Sequence, residues 1–210
     1  MNIINEKGLN VYIDQCDSLD EAQLKASKDS VNTSGTVIPG ILFRQGGRHC
    51  FSAALSMAQV MDKLDIRAAE KMATAKQVGD ATNRPTDPTH VKTISEYIKA
   101  NVSSKYIIPP LTLNVQQTMR VFSSSRVAAT SVAYAVLPST AKLQITDGSH
   151  RKKAIYTAYA EMSDEERENF FEHSVSVMIT FEGENAQVQQ DFADCSKTKL
   201  LPPGLIAAYD

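Results

Sequence analysis

Several things are scarce or missing in this sequence, and each absence closes off a class of function. Cysteine occurs three times, at Cys16, Cys50 and Cys195, widely spaced and with no C-x-x-C pair. That excludes a disulfide framework and gives no zinc-site spacing, and a reducing cytoplasm fits. No apolar run approaches the roughly 20 residues a membrane-spanning helix needs, and the opening MNIINEKGLN has no apolar leader core. There is no Walker A loop, which excludes a P-loop mechanism. No H-E-x-x-H, Ser-His-Asp or paired-carboxylate arrangement stands out, and there is neither an internal repeat nor a low-complexity tract.

What is present is a chain of 210 residues, 42% hydrophobic, able to bury a substantial core. The formal net charge of −2 hides an uneven distribution. Between Leu42 and Lys153 there are 16 Lys and Arg against 7 Asp and Glu; the rest of the chain holds 6 against 17. A basic middle between acidic flanks is the pattern of an anionic partner, phosphate or nucleic acid, or else of solvated helix faces rich in Lys.

Periodicity supplies the elements. DSLDEAQLKASKDS reads as a short helix within an otherwise polar, acidic segment 1–34. GTVIPGILFRQGG, interrupted by Pro39 and Gly40, reads as an edge strand or kinked extended piece. Ala54, Met57, Met61 and Leu64 recur at helical spacing, which predicts a helix over 51–64, and Ala69, Met72 and Ala73 continue the pattern. Asp87-Pro88 reads as an N-cap followed by proline at the first helical position, with Val91, Ile94 and Ile98 on one helix face. KYIIPPLTL, SVAYAVL and KLQIT read as strands. Ser163 and Glu166 have capping-box spacing. Val175, Val177, Ile179 and Phe181 alternate as on a half-buried strand, and Val188, Phe192 and Cys195 fall on one face of a final helix. The fold class expected is mixed α/β, a small mixed sheet with packed helices and an N-terminal helical portion.

One junction stands out. In LQITDGSHRKKAI a buried strand runs through a glycine straight into a helix. A helix N-terminus carries unpaired amides and partial positive charge, so the turn from Gly148 to Arg151 is a natural anion site. Gly148 allows close backbone approach, Ser149 belongs to the same phosphate-binding turn, His150 and Arg151 add charge-assisted donors, and Asp147 could hold Mg²⁺ or act as a base. The plainer alternative is that Asp147 caps the helix while His150 and Arg151 are solvated. RQGGRH, with Arg44 and Arg48, is a second basic glycine loop read as lying ahead of a helix. NRPT, with Arg84, is a weaker signal, and His90 reads as a surface residue. Gln189, Gln190, Asp191 and Asp194 read as a solvated polar face.

In order, QGGR, NRPTDPTHVKTISEYI, YIIPPLTL, ITDGSHRKKAI, VSVMITF and QQDFADCSKTKLLPPGLIAAYD resemble the DGQHR-domain, DndB-like family of DNA sulfur modification proteins, from about Thr36 to Asp210. That family in turn looks like the ParB and sulfiredoxin superfamily. The resemblance implies a segment 1–34 followed by a domain over 35–210, with a helical part at 50–101 and a sheet-containing part at 105–210. Members tend to continue past the Tyr-Asp that ends this chain, so it also implies a truncated relative or a fragment. Asp147, Gly148, His150 and Arg151 match the family's signature turn, Arg48 the QGGR arginine, and Gln190, Phe192 and Asp194 a Q-x-F-x-D pattern. Ser149 stands where the family has Gln, and Ser196 where it has Asn.

Two functions follow from the resemblance. One is a cytoplasmic regulator that binds double-stranded DNA alongside DNA phosphorothioation proteins, alone or as a homo-oligomer. In it the 148–151 turn and Arg48 hold phosphate or nucleotide, while Arg44, Arg84, Gln190 and Asp194 contact DNA or support the site. The other is an ATP-hydrolysing or phosphotransfer enzyme in which Asp147, His150 and Arg151 are catalytic, with ATP and Mg²⁺ as cofactors and Asp147 on the metal.

Overall fold

Strands whose side chains alternate in polarity form a sheet with two distinct faces, and this chain builds most of its length around one such sheet. The computed structural model describes residues 2–5, 8–65, 86–124 and 129–197. In chain order the elements are β1 (Asn2–Asn5), β2 (Val11–Cys16), α1 (Leu19–Thr33), β3 (Thr36–Gln45), β4 (Arg48–Ser56), α2 (Met57–Lys63), β5 (Leu64–Asp65) and α3 (Pro88–Asn101). There follow β6 (Leu111–Val115), β7 (Met119–Ser124), β8 (Thr130–Leu137), β9 (Leu143–Asp147), α4 (Ser149–Ala160), α5 (Asp164–Phe171), β10 (Ser174–Thr180) and α6 (Asn185–Cys195). The strands form one mixed sheet in the order β1-β2-β7-β8-β3-β4-β10-β6-β9-β5. The mixed α/β class is as expected, but the sheet is large, and the acidic first segment supplies β1, β2 and the covering helix α1 to it.

Register assigns the faces. Leu42 lies opposite Phe51, which lies opposite Ile179, and Gly40 pairs with Ala53, which pairs with Val177. These residues and their alternates, among them Ile38, Leu55, Val175, Ala133 and Ala135, point to the inner face and join one buried core with Met57, Val60, Ile98, Ile155 and Phe170 from α2, α3, α4 and α5. On the outer face α1 packs over β7 and β8, burying Cys16, Ala22, Ala26, Phe122 and Val136. The other outer helix, α6, packs against β9.

The sheet curls until its second strand meets the end of its seventh. Leu9 forms an antiparallel bridge with Glu182, Asn10 N–H donates to Phe181 O at 2.6 Å and Gly183 N–H to Gly8 O at 3.0 Å. Asn114 fixes this seam from beneath. It is fully buried, donates Nδ2 to Glu182 O at 3.0 Å, and accepts from Glu182 N–H at 2.8 Å and Thr180 Oγ1 at 3.1 Å. With each internal hydrogen bond worth on the order of 1 kcal/mol, Asn114→Ala is expected to lower stability by roughly 2–3 kcal/mol in urea unfolding. Asn114→Asp, which keeps the acceptor alone, should recover part of it.

Two local expectations are corrected. The helix predicted over 51–64 begins only at Met57. Phe51 to Ser56 belong to β4, whose Phe51, Ala53 and Leu55 carry the period-two signal, and the helical spacing of Ala54 with Met57 is coincidence. Ser56 starts α2 by a capping box, accepting from Gln59 N–H while the Gln59 side chain accepts from Ser56 N–H. The strand containing Pro39 is interior, between β8 and β4, not an edge. Proline is tolerated because the β3–β4 ladder starts at Gly40, so at Pro39 only β8 is paired. Residues Ala69, Met72, Ala73 and Arg84 lie outside the described residues.

Candidate functional site

At the end of β9 the chain turns through Gly148, at φ 104°, directly into α4. Four other helices start at Ser18, Ser56, Asp87 or Ser163, whose side chains accept from first-turn amides. The α4 N-cap is Gly148 and offers no such acceptor, so Asp147 is not the cap. Instead Asp147 Oδ2 accepts from Arg151 Nη2 at 2.7 Å, and the same nitrogen reaches Pro110 O at 3.2 Å. His150 Nε2 accepts the Asp87 N–H at 2.9 Å, and its ring stands edge-on to His90, centroids 5.3 Å apart. A proton leaving His150 would therefore come from Nδ1, because Nε2 is the acceptor. Among the described residues no group of three or more His, Cys, Asp and Glu is placed to hold a metal ion. Asp147 is paired to Arg151.

The second basic loop is a hairpin turn that leads into a strand, where the sequence reading placed it ahead of a helix. Gly46 and Gly47, at φ 60° and 82°, form the two-residue connection between β3 and β4, a backbone that favours glycine at both positions. Arg44 Nη2 donates to Gly47 O at 2.9 Å. Arg48 is held by two acids: Nη2 lies 2.8 Å from Asp191 Oδ1 and Nη1 3.3 Å from Glu182 Oε1. Both carboxylates are deeply buried, Asp191 8% and Glu182 9% exposed. Burial pushes the Glu182 carboxyl up, against the pull of Arg48. Arg48 also lines a cleft of about 580 Å³, walled by Gly8, Glu182, Glu184, Gln187 and Asp191.

The helix α6 links the two loops. Val188 and Asp191 face the sheet, whereas Gln190 and Asp194 lie on the exposed side, bonded to each other at 3.0 Å, with Lys197 on Asp194 at 2.6 Å. Asp191 therefore belongs to the site although it read as solvated; its spacing of three from Val188 and four from Cys195 was the available signal. Cys195, half-buried, hydrogen-bonds Thr112, and burial pushes its thiol up. Thr112 is the cross-strand partner of Asp147. Asp147 at the end of β9 is thus joined through Thr112 and Cys195 to the last helix, with Arg48 paired to α6 and not to the 147–151 turn.

The family model DndB, described as DNA-sulfur modification-associated, matches residues 38–210. The chain belongs to the DndB family. The matched stretch holds both glycine loops and α6, and connects the chain to DNA sulfur modification. No curated protein matches it, and no solved structure does. Among the described residues no helix is long and apolar enough to cross a membrane.

Proposed function

We propose that this chain is a DNA-binding regulatory protein of DNA sulfur modification, in which the first turn of α4 holds a phosphate of DNA or of a nucleotide. The observation that carries the reading is the glycine start of α4, which leaves its first-turn amides without a side-chain cap, followed by His150, Arg151, Lys152 and Lys153. Arriving phosphate competes with Asp147 for Arg151, whose planar fork suits two phosphate oxygens as well as a carboxylate. Lys152 lies over the Tyr156 ring, 5.2 Å from its centroid, and Lys153 Nζ donates to Thr86 Oγ1 at 2.6 Å, so the first turn is flanked by cations. Arg44, Arg84 and the exposed Gln190 and Asp194 are further candidates to meet DNA, and partners from the phosphorothioation machinery belong to the same proposal.

The alternative, hydrolysis of ATP by Asp147, His150 and Arg151, finds less support in a site whose carboxylate is ion-paired and whose His150 Nε2 is already an acceptor. The test is binding of a labelled DNA duplex and of labelled ATP to the wild type and to Arg151→Ala across a salt series. Affinity for DNA should fall by about 0.9 log units per neutralised phosphate per decade of salt. Arg151→Ala should weaken phosphate binding about tenfold or more and reduce that slope by about 1. Binding that ignores salt would sink the proposal.

A further inference from the structure

The outer face of the sheet is covered at both sides and open between them. Helix α1 lies over β7 and β8, and α6 lies against β9, with its Cys195 on Thr112 of β6. Between them the outer face of β3, β4 and β10 is less covered: α1 touches β3, and only Arg48 at the start of β4 is seen paired with α6. Ile41 pairs across the ladders with Val132 and with Ser52, and Ala54 pairs with Ser176, so these side chains share the outer face. Ile41 is 40% and Val132 44% exposed, and Pro39, Ser52, Ala54 and Ser176 are exposed beside them. None of the six is charged.

The two ends of the opening differ in chemistry. At Ala54 and Ser176 it runs into a cavity of about 660 Å³ walled by Lys105, Tyr106, Ile107, Ile108, Glu172 and His173. At the β3–β4 hairpin it meets the acidic cleft of Glu182, Glu184, Asp191 and Asp194 around Arg48. There two carboxylates more than nine-tenths buried share one guanidinium, and neither Asp191 Oδ2 nor Arg48 Nη1 has a hydrogen-bond partner.

We infer that the open strip receives an amphipathic helix of a partner protein, apolar along one side and carrying Lys or Arg at the end that meets Glu182 and Asp191. Charge complementarity selects this occupant. DNA would bring its phosphates against Glu182, Glu184 and Asp191 at the hairpin end, while the one cation described at the opposite end, Lys105, lines the cavity beyond Ala54 and Ser176. A second copy would have to offer the same strip to itself, as two-fold pairing requires, and a trough between two helical ridges does not fill another trough. The inference stands apart from phosphate binding at α4 and survives its failure.

The test places a photo-crosslinking amino acid at Ile41 in the full chain, in its host cells, with Leu24 on the outward side of α1 as the control position. The expected result is an adduct specific to Ile41 that mass spectrometry maps to one protein segment. That segment should have apolar residues at three- and four-residue spacing and a basic residue at one end. Val132→Asp and Glu184→Lys, both at exposed positions, should each lower the adduct yield about tenfold while leaving thermal unfolding unchanged. The inference is overturned by no adduct beyond the Leu24 control. It is overturned equally by an adduct to DNA or to a second copy, by a mapped segment without that pattern, or by a yield that either variant leaves intact.

Discussion

Arg48→Ala is expected to be the most destabilising single change in this chain. It leaves Glu182 and Asp191, both over nine-tenths buried, without their shared cation, and stranding buried charge in this way costs about 3–5 kcal/mol. For a chain of this size that corresponds to a melting temperature lower by roughly 10 °C. The deficit should depend on pH with a definite sign. In the wild type burial raises the Glu182 carboxyl, so the folded state holds that proton more tightly than the unfolded one does. Its contribution to stability is full at low pH and is lost as the pH rises through the raised folded value. Without Arg48 the opposing pull disappears and this loss deepens. The gap between variant and wild type is therefore largest near neutral pH and narrows as the pH falls through the carboxylate range. Thermal unfolding of both proteins across that range measures it, and a gap independent of pH would contradict the assignment of Arg48 as their counter-charge.

The second large effect is expected from Gly148→Ala. At φ 104° the backbone is one that L side chains rarely adopt, and an added Cβ would lie 3.0 and 3.1 Å from Arg151 Nη2 and Nε and well inside the Leu111 side chain. Backbone strain of about 1–2 kcal/mol and overpacking of about 1–3 kcal/mol add to an expected loss of roughly 2–5 kcal/mol. Because the methyl displaces Arg151 itself, phosphate affinity should also fall, by about tenfold at a temperature where the variant is folded. Equilibrium unfolding and duplex binding, measured on one preparation, separate the two losses. Unchanged stability would mean that the turn is not built as described.

Much of the fold was legible where one signal was strong. The α3 start at Asp87-Pro88, the capping box at Ser163, the alternation of β10 and the strand-to-helix turn at Gly148 all follow from local chemistry, and each stands where the residues placed it. What failed did so where two periods overlapped. In β4, Ala54 and Met57 imitate a helix while Phe51, Ala53 and Leu55 obey the strand, and only pairing with β3 and β10 decides between them. β2 and β7 are short and do not alternate, with Val11, Tyr12 and Ile13 in one run and Ser123 and Ser124 in another, so VYIDQC and MRVFSS carry too little pattern to announce themselves. At the site, the turn was legible from its residues, but the partner of Arg48 was not. Asp191 shares its helix with Gln190 and Asp194, and nothing in the spacing of acids says which one faces inward until Val188 and Cys195 set the buried side.

The pairing of β4 with β10 has a consequence for biosynthesis. The strands on either side of β4 are β3, its hairpin neighbour, and β10, which begins at Ser174. While the chain is being made, the inner core residues Phe51, Ala53 and Leu55 sit on a sheet border with an unsatisfied row of amides until β10 has emerged from the ribosome. Such an exposed border is a template for association with other chains. Nascent chains stalled before residue 174 are thus the species most exposed to aggregation, and conditions that slow translation over α4 and α5 would lengthen that window.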